Sequence, residues 1–308
     1  MHKYKKIQRL TRLIQQCDVQ NNPAWKKSSN YYIMQKSSVS YKRSLYFPNE
    51  DIFLKIYSDA LCEQQSIKNG SEEEKKAYND IQFSFVQKNV NIKPYIIDID
   101  LEFDKKLYDE SERCLTSTRK IPRLISDNMI IDVCRTYTMI FKDIYGEKYL
   151  DDKYVIVMKR PNSCIKGKNY KDGLHIIFPK IITDRDAMRY IHKIAVESLH
   201  KSSLKIYDKH TTLDEAMIKG AGWMLYGSGS KGADSVYKVD YNIPLKNLMD
   251  NDSDFKDDLD AMSEPFIVSL KDIPAHLSIH DKTEVSPITN DRVFDKLIGI
   301  KLNRKKLE

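Results

Sequence analysis

The period of the apolar positions changes several times along the chain, and each change marks an element. Near the N-terminus, Ile7, Leu10 and Ile14 share one helical face among Lys and Arg residues, which predicts a basic amphipathic helix. Pro48-Asn49-Glu50-Asp51 opens a second helix, with acids in its first turn and the apolar pairs Ile52/Ile56 and Phe53/Tyr57 behind them. Asn69-Gly70 is a turn, and Ser71-x-x-Glu74 is a capping box that starts another helix. The run IKPYIIDIDLEF is extended, because Pro94 cannot sit inside a helix and the flanking residues are β-branched. Helical spacing returns from Ser126 to Tyr145, through Ile130, Val133, Tyr137, Phe141 and Ile144, and stops at Gly146. KYVIVMKR and GLHIIFPKI read as strands, the second ended by Pro179. Thr183-x-x-Asp186 opens a long helix bearing Tyr190, Ile191, Ile194 and Leu199. AGWMLYGSG is a short strand running into a Gly-rich turn, and Tyr237, Val239, Tyr241 and Ile243 alternate as a half-buried strand. Some strands follow one another too closely for a βαβ repeat, so the pattern predicts an α+β fold with mixed sheets flanked by helices.

Composition narrows the class. The 308 residues are 41% hydrophobic and 31% charged, enough to bury a sizeable core and unlike a disordered chain. No apolar run approaches the length of a membrane helix, and the N-terminus lacks the apolar core of a secretory signal. The five cysteines, Cys17, Cys62, Cys114, Cys134 and Cys164, form no CxxC or CxxH pair. That argues against structural zinc and for reduced thiols in an intracellular protein. A net charge of +7 is compatible with a nucleic-acid partner without demonstrating one. The acidic run 250–260 begins like a calcium loop, but Phe255 stands where that loop needs Gly and Ala261 where it needs Glu, so it reads as a solvated connection.

Three segments carry chemistry. In IIDIDLEF the period of two puts Asp98, Asp100 and Glu102 on one face and Ile97, Ile99, Leu101 and Phe103 on the other. Adjacent carboxylates repel, and Mg²⁺ or Mn²⁺ would relieve them while leaving coordination positions for substrate phosphates. The competing reading is an edge strand with a charged solvent face. In Lys171-Asp172-Gly173-Leu174-His175, a Lys and a His suit triphosphate oxygens, and Gly173 lets a ligand approach the backbone. Leu213-Asp214 precedes a turn from Gly227 to Gly232 that offers N–H groups, Ser228 and Lys231 to phosphate, although it is no Walker A loop. Clustered carboxylates with a Lys also suit a metal-dependent nuclease. A non-enzymatic nucleic-acid binder is the third possibility, weakened by three acids that would repel phosphate if no metal were bound.

The order of these segments resembles the archaeo-eukaryotic primase superfamily. It is most similar to the primase region of the primase–helicases of large double-stranded DNA viruses, and to the PrimPol branch. The resemblance runs from about Lys42 to Gly232. It implies a catalytic core with an RRM-like lobe. By position, Asp98, Asp100 and Asp214 match the metal-binding acids, with Glu102 as an alternative. His175, Lys171, Ser228 and Lys231 match nucleotide contacts, and Arg43 loosely matches an N-terminal basic residue. Two positions depart from the pattern. Gly173 stands where the family has Ser, and Met224 where it has Arg; Arg160 and Lys159 are the candidates to replace that Arg. The implied activity is primer synthesis on single-stranded DNA from nucleoside triphosphates, with two Mg²⁺ or Mn²⁺ ions, no zinc and no membrane. The implied setting is viral DNA replication inside the host cell, beside a downstream helicase region. The expected division is a basic extension over 1–30, a catalytic core over 31–246 and a C-terminal extension over 247–308.

Overall fold

The computed structural model describes residues 4–34, 42–74, 84–106, 123–160, 163–199, 211–229, 236–250, 258–269 and 271–280, and every structural statement below concerns these. In chain order the main elements are α1 (Lys5–Gln16), β1 (Tyr31–Met34), β2 (Lys42–Leu45), α2 (Glu50–Lys68), β3 (Phe85–Gln87) and β4 (Lys93–Asp104). There follow α3 (Asp127–Tyr145), β5 (Tyr154–Lys159), β6 (Cys164–Lys166), β7 (Asn169–Thr183), α4 (Arg185–Leu199), β8 (Thr211–Leu213), β9 (Trp223–Met224) and β10 (Lys238–Pro244). The fold is α+β, with antiparallel pairings throughout the registered ladders.

The chain divides into two compact units. The first gathers Met1–Val90, Gly220–Lys238 and Ile267–Asp281. Its sheet has the order β2-β1-β3-β9. Ile7 and Leu10 of α1 pack with Phe53, Tyr57 and Leu61 of α2 and with Tyr31, Phe47 and Phe85 in one apolar cluster. Phe47 and Phe53 stack face to face at 3.8 Å between centroids. Both ends of α2 are chemically marked: the Asn49 side chain accepts from Ile52 N–H, and the capping box forms beyond it, with Ser71 N–H donating to Glu74 at 2.9 Å. Ile52 is a correction to its predicted pairing with Ile56, since it is exposed while Phe53, Ile56 and Tyr57 are buried. The core here is lined with aromatic rings, and the turn that faces it is the one carrying Phe53 and Tyr57.

The second unit gathers Asn91–Lys219, Val239–Phe266 and Lys282–Glu308. Its six-stranded sheet runs β10-β5-β7-β4-β8, with β6 paired to β7. Read as β4-α3-β5-β7-α4-β8, this is a βαββαβ unit of the ferredoxin-like kind, with β4 and β7 at the centre. One face is apolar: Tyr95, Ile97, Ile99 and Leu101 lie beside Phe178, Ile176 and Leu174. Tyr95 meets Tyr137 and Phe141 of α3 there, so this is the face the helix covers. Ser126 caps α3 by accepting from Met129 N–H, and Gly146 ends it at φ +85°, which suits glycine.

Two expectations are corrected. The strand GLHIIFPKI does not end at Pro179; β7 continues to Thr183. Tyr95 pairs with Phe178 and Pro94 with Ile182, so Pro179, Lys180 and Ile181 fall opposite no residue of β4. A bulge tolerates a residue with no N–H to donate, which is why the proline does not stop the strand. At the start of α4 the cap is Asp184, which accepts from Ala187 N–H at 2.7 Å, and Tyr190 lies exposed on its outer side. Among the described residues no helix is long and apolar enough to cross a membrane.

Candidate metal and nucleotide site

The face of the second sheet opposite α3 carries the acids. Because β4 lies between β7 and β8, it is not an edge strand. Along β4 the register sets Asp98 opposite His175, Asp100 opposite Gly173 and Glu102 opposite Lys171. On the other side Ile99 pairs with Leu213, which brings Asp214 alongside Asp98. The Asp214 N–H donates to the Asp98 carbonyl at 2.8 Å and locks the two backbones together. Residues far apart in sequence thereby converge: one carboxylate oxygen from each of Asp98, Asp100 and Asp214 lies within 4.8 Å of the others.

The electrostatics are strained in a way a cation would relieve. Asp98 Oδ1 is closed off from solvent and makes no hydrogen bond. The His175 ring nitrogen Nε2 stands 3.5 Å from it, at the outer limit of a hydrogen bond. Burial, and after it the charges of Asp100 and Asp214, push the Asp98 carboxyl up to about 7, against a pull downward from Arg160 and Lys171. His175 is driven down to about 3 by burial and then by Arg160, so it is neutral at working pH and its closeness to Asp98 is not an ion pair. Lys171 Nζ sits 2.7 Å from Asp100 and 3.7 Å from Glu102. An all-oxygen donor set with an unsatisfied buried oxygen suits a hard divalent cation. Glu102 stands outside the cluster of three, drawn towards Lys171.

The remaining sequence-derived candidates belong to the first unit. Ser228 is buried; its Oγ lies 3.0 Å from Tyr57 Oη and accepts from Phe85 N–H. Arg43 in β2 pairs with the buried Asp18 at 3.5 Å. Lys231 and Cys114 lie outside the described residues. Sequence reasoning passed over Asp172, a wholly buried carboxylate that accepts from the N–H groups of Leu124, Ile125 and Gly173 and pairs with Arg123 at 3.2 Å. Alternation placed it on the apolar face, which was the available warning that it would need partners.

The catalytic-looking face and its strand order meet their counterpart in sequence comparison. The profile of the family described as the C962R protein N-terminal AEP domain matches residues 36–243. The chain belongs to this family of archaeo-eukaryotic-primase-type domains, and membership supports a primase-type function with nucleotidyl-transfer chemistry and divalent metal. The chain is also 28% identical over 149 residues to L207/L206 of Acanthamoeba polyphaga mimivirus, a protein named for an inferred helicase activity. That match covers 41% of this chain and 15% of the relative's length.

Proposed function

We propose that the chain is a template-dependent nucleotidyl transferase that builds primers on single-stranded DNA from nucleoside triphosphates during viral DNA replication. The observation that carries this reading is the convergence of Asp98, Asp100 and Asp214 beside His175 and Lys171 in an AEP-family domain. Two Mg²⁺ or Mn²⁺ ions held by the three aspartates, with Glu102 in reserve, would acidify the attacking 3′-hydroxyl and stabilise the departing pyrophosphate.

The protein's own residues do the rest by position and charge. Asp98 presents a carboxyl oxygen already stripped of solvent. Neutral His175 offers a hydrogen bond to a phosphate oxygen. Lys171 is held over Asp100 and is placed to turn to the triphosphate once metal answers that carboxylate. Lys231 and Arg43 stay in the proposal as further nucleotide contacts. Ser228, whose hydroxyl is bonded to Tyr57 and Phe85, contributes by fixing the turn that leads to Lys231. The partial match to a much longer viral protein with a helicase name suggests work beside a helicase region.

With Mn²⁺, nucleoside triphosphates and single-stranded DNA, the protein is expected to yield labelled products longer than any input strand. The Asp98→Ala/Asp100→Ala variant should keep its fold and lose incorporation. Shortened template without triphosphate consumption would point instead to a nuclease, and a folded double variant with wild-type incorporation would remove these acids from the chemistry.

A further inference from the structure

We propose that Arg160 completes the triphosphate seat, binding phosphate oxygens across the gap that Gly173 leaves in the acidic face, with Lys171 and His175 on either side. This rests on the nucleotidyl-transfer reading above and names a binding residue for it.

The placement follows from strand register. Met158 of β5 pairs with His175, and Lys159 pairs with Leu174. Continuing by one residue sets Arg160 against Gly173, which itself lies opposite Asp100. Alternation puts Arg160 on the face of Met158, His175 and Asp98. In the row from Arg160 through Gly173 to Asp100, the middle position has no side chain. Two residues away along β7, on the same face, stand Lys171 and His175. The row is therefore an opening floored by backbone, bounded by two cations and a neutral imidazole, with the metal-binding acids on its far side.

Three further observations support it. The charge of Arg160 acts on both Asp98 and His175, which places its guanidinium within electrostatic reach of this face. Its backbone is pinned: the Arg160 carbonyl accepts from Arg123 Nη1 at 2.7 Å, and Arg123 is in turn held by buried Asp172. Lys159, the neighbouring candidate, is committed to the opposite face. Its ammonium lies 2.9 Å from Asp240, 3.1 Å from Asp127 and 4.4 Å from the centre of the Tyr241 ring. A guanidinium suits the task, since its planar fork engages two phosphate oxygens at once. Lys171 answers one charge of a triphosphate, and metal is shared with the carboxylates, so a further cation is required on this side.

The test compares three probes on the full chain: Mn²⁺ alone, ATP with Mn²⁺, and inorganic tripolyphosphate with Mn²⁺, each by titration calorimetry. Arg160→Gln should weaken both phosphate probes by about tenfold or more, the loss expected for a charge-assisted contact. It should leave Mn²⁺ alone unweakened, because removing a cation from beside the acids cannot reduce their pull on metal. Arg160→Lys should recover part of the phosphate affinity, which a failure to fold could not mimic. Lys159→Gln should bind all three probes like the parent. Tripolyphosphate affinity within twofold of the parent in folded Arg160→Gln overturns the assignment, as does an equal loss of Mn²⁺ alone, which would make Arg160 an organiser of the acids. If the parent chain binds neither phosphate probe with Mn²⁺, the nucleotidyl-transfer reading falls as well; if the parent binds and Arg160→Gln is unchanged, Arg160 alone is wrong.

Discussion

At pH 7 about half of the metal-free molecules carry a proton on Asp98, because its carboxyl has been pushed up to about 7. A raised folded-state value means that stability is full below the ordinary aspartate range and is lost as pH climbs from about 4 to 7. His175 has the opposite slope: held down to about 3, it costs stability as pH falls below its ordinary value. The two partly cancel in the parent protein, so the informative quantity is a difference. In EDTA, Asp98→Asn is expected to gain on the parent as pH rises from 5 to 8, by on the order of a few kcal/mol. Thermal melting at the two pH values measures it. With saturating Mn²⁺ at pH 8 the order should invert, since the parent then gains binding energy that the variant has lost. A stability difference that does not change with pH would mean that Asp98 ionises normally.

The short segment Ile273–His276 and the residues after it close the first unit from far along the chain. His280 is buried, with Nδ1 2.9 Å from Glu50 Oε1 and Nε2 2.6 Å from the Lys88 carbonyl, edge-on to Tyr31. Tyr31 Oη and the Gln87 amide also engage Glu50. Burial lowers the His280 value, but the hydrogen bond and charge of Glu50 outweigh it, so the net shift is upward. The stability that His280 contributes is thus full below the ordinary histidine value and fades as pH rises through the raised one. His280→Ala should cost about 3 kcal/mol at pH 6, because it strands a buried carboxylate, and clearly less at pH 9. Urea unfolding at both pH values checks this; equal losses would mean that the pair is not ionised. No sequence signal marked this pair, since its members are 230 positions apart. What was legible was local or periodic: the α3 boundaries, the capping box at Ser71, and the face shared by Asp98 and Asp100. Pro179 misled because a local rule about prolines gave way to a bulge. The convergence of Asp214 on Asp98 is a property of β8 register, and it entered beforehand through family resemblance, not through spacing.

At the scale of the whole molecule, the excess of 51 basic over 44 acidic residues is modest. A template held by Lys and Arg must nonetheless release counterions when it binds. Anisotropy of a labelled single strand, titrated at several salt concentrations, should give a log–log slope of about −0.7 for each phosphate neutralised. A slope near zero would mean that template is not held by charge. The proposed work is divided between two units: the aspartates, Lys171 and His175 belong to one, while Ser228 and Arg43 belong to the other.

The first unit is assembled from three separate stretches of chain, and β4 to β8 of the second lie within one unbroken stretch. On a ribosome that difference becomes an order of events. The residues that leave first must wait for β9 to pair with β3 and for His280 to reach Glu50, while the sheet that bears the aspartates has its six βαββαβ elements once Leu213 has emerged. Loop closure over so long a separation is slow compared with local pairing. The part of the protein made second can therefore be finished first, and a chain arrested before residue 220 would hold the three aspartates on their sheet while the unit begun at the N-terminus still lacked its last strand.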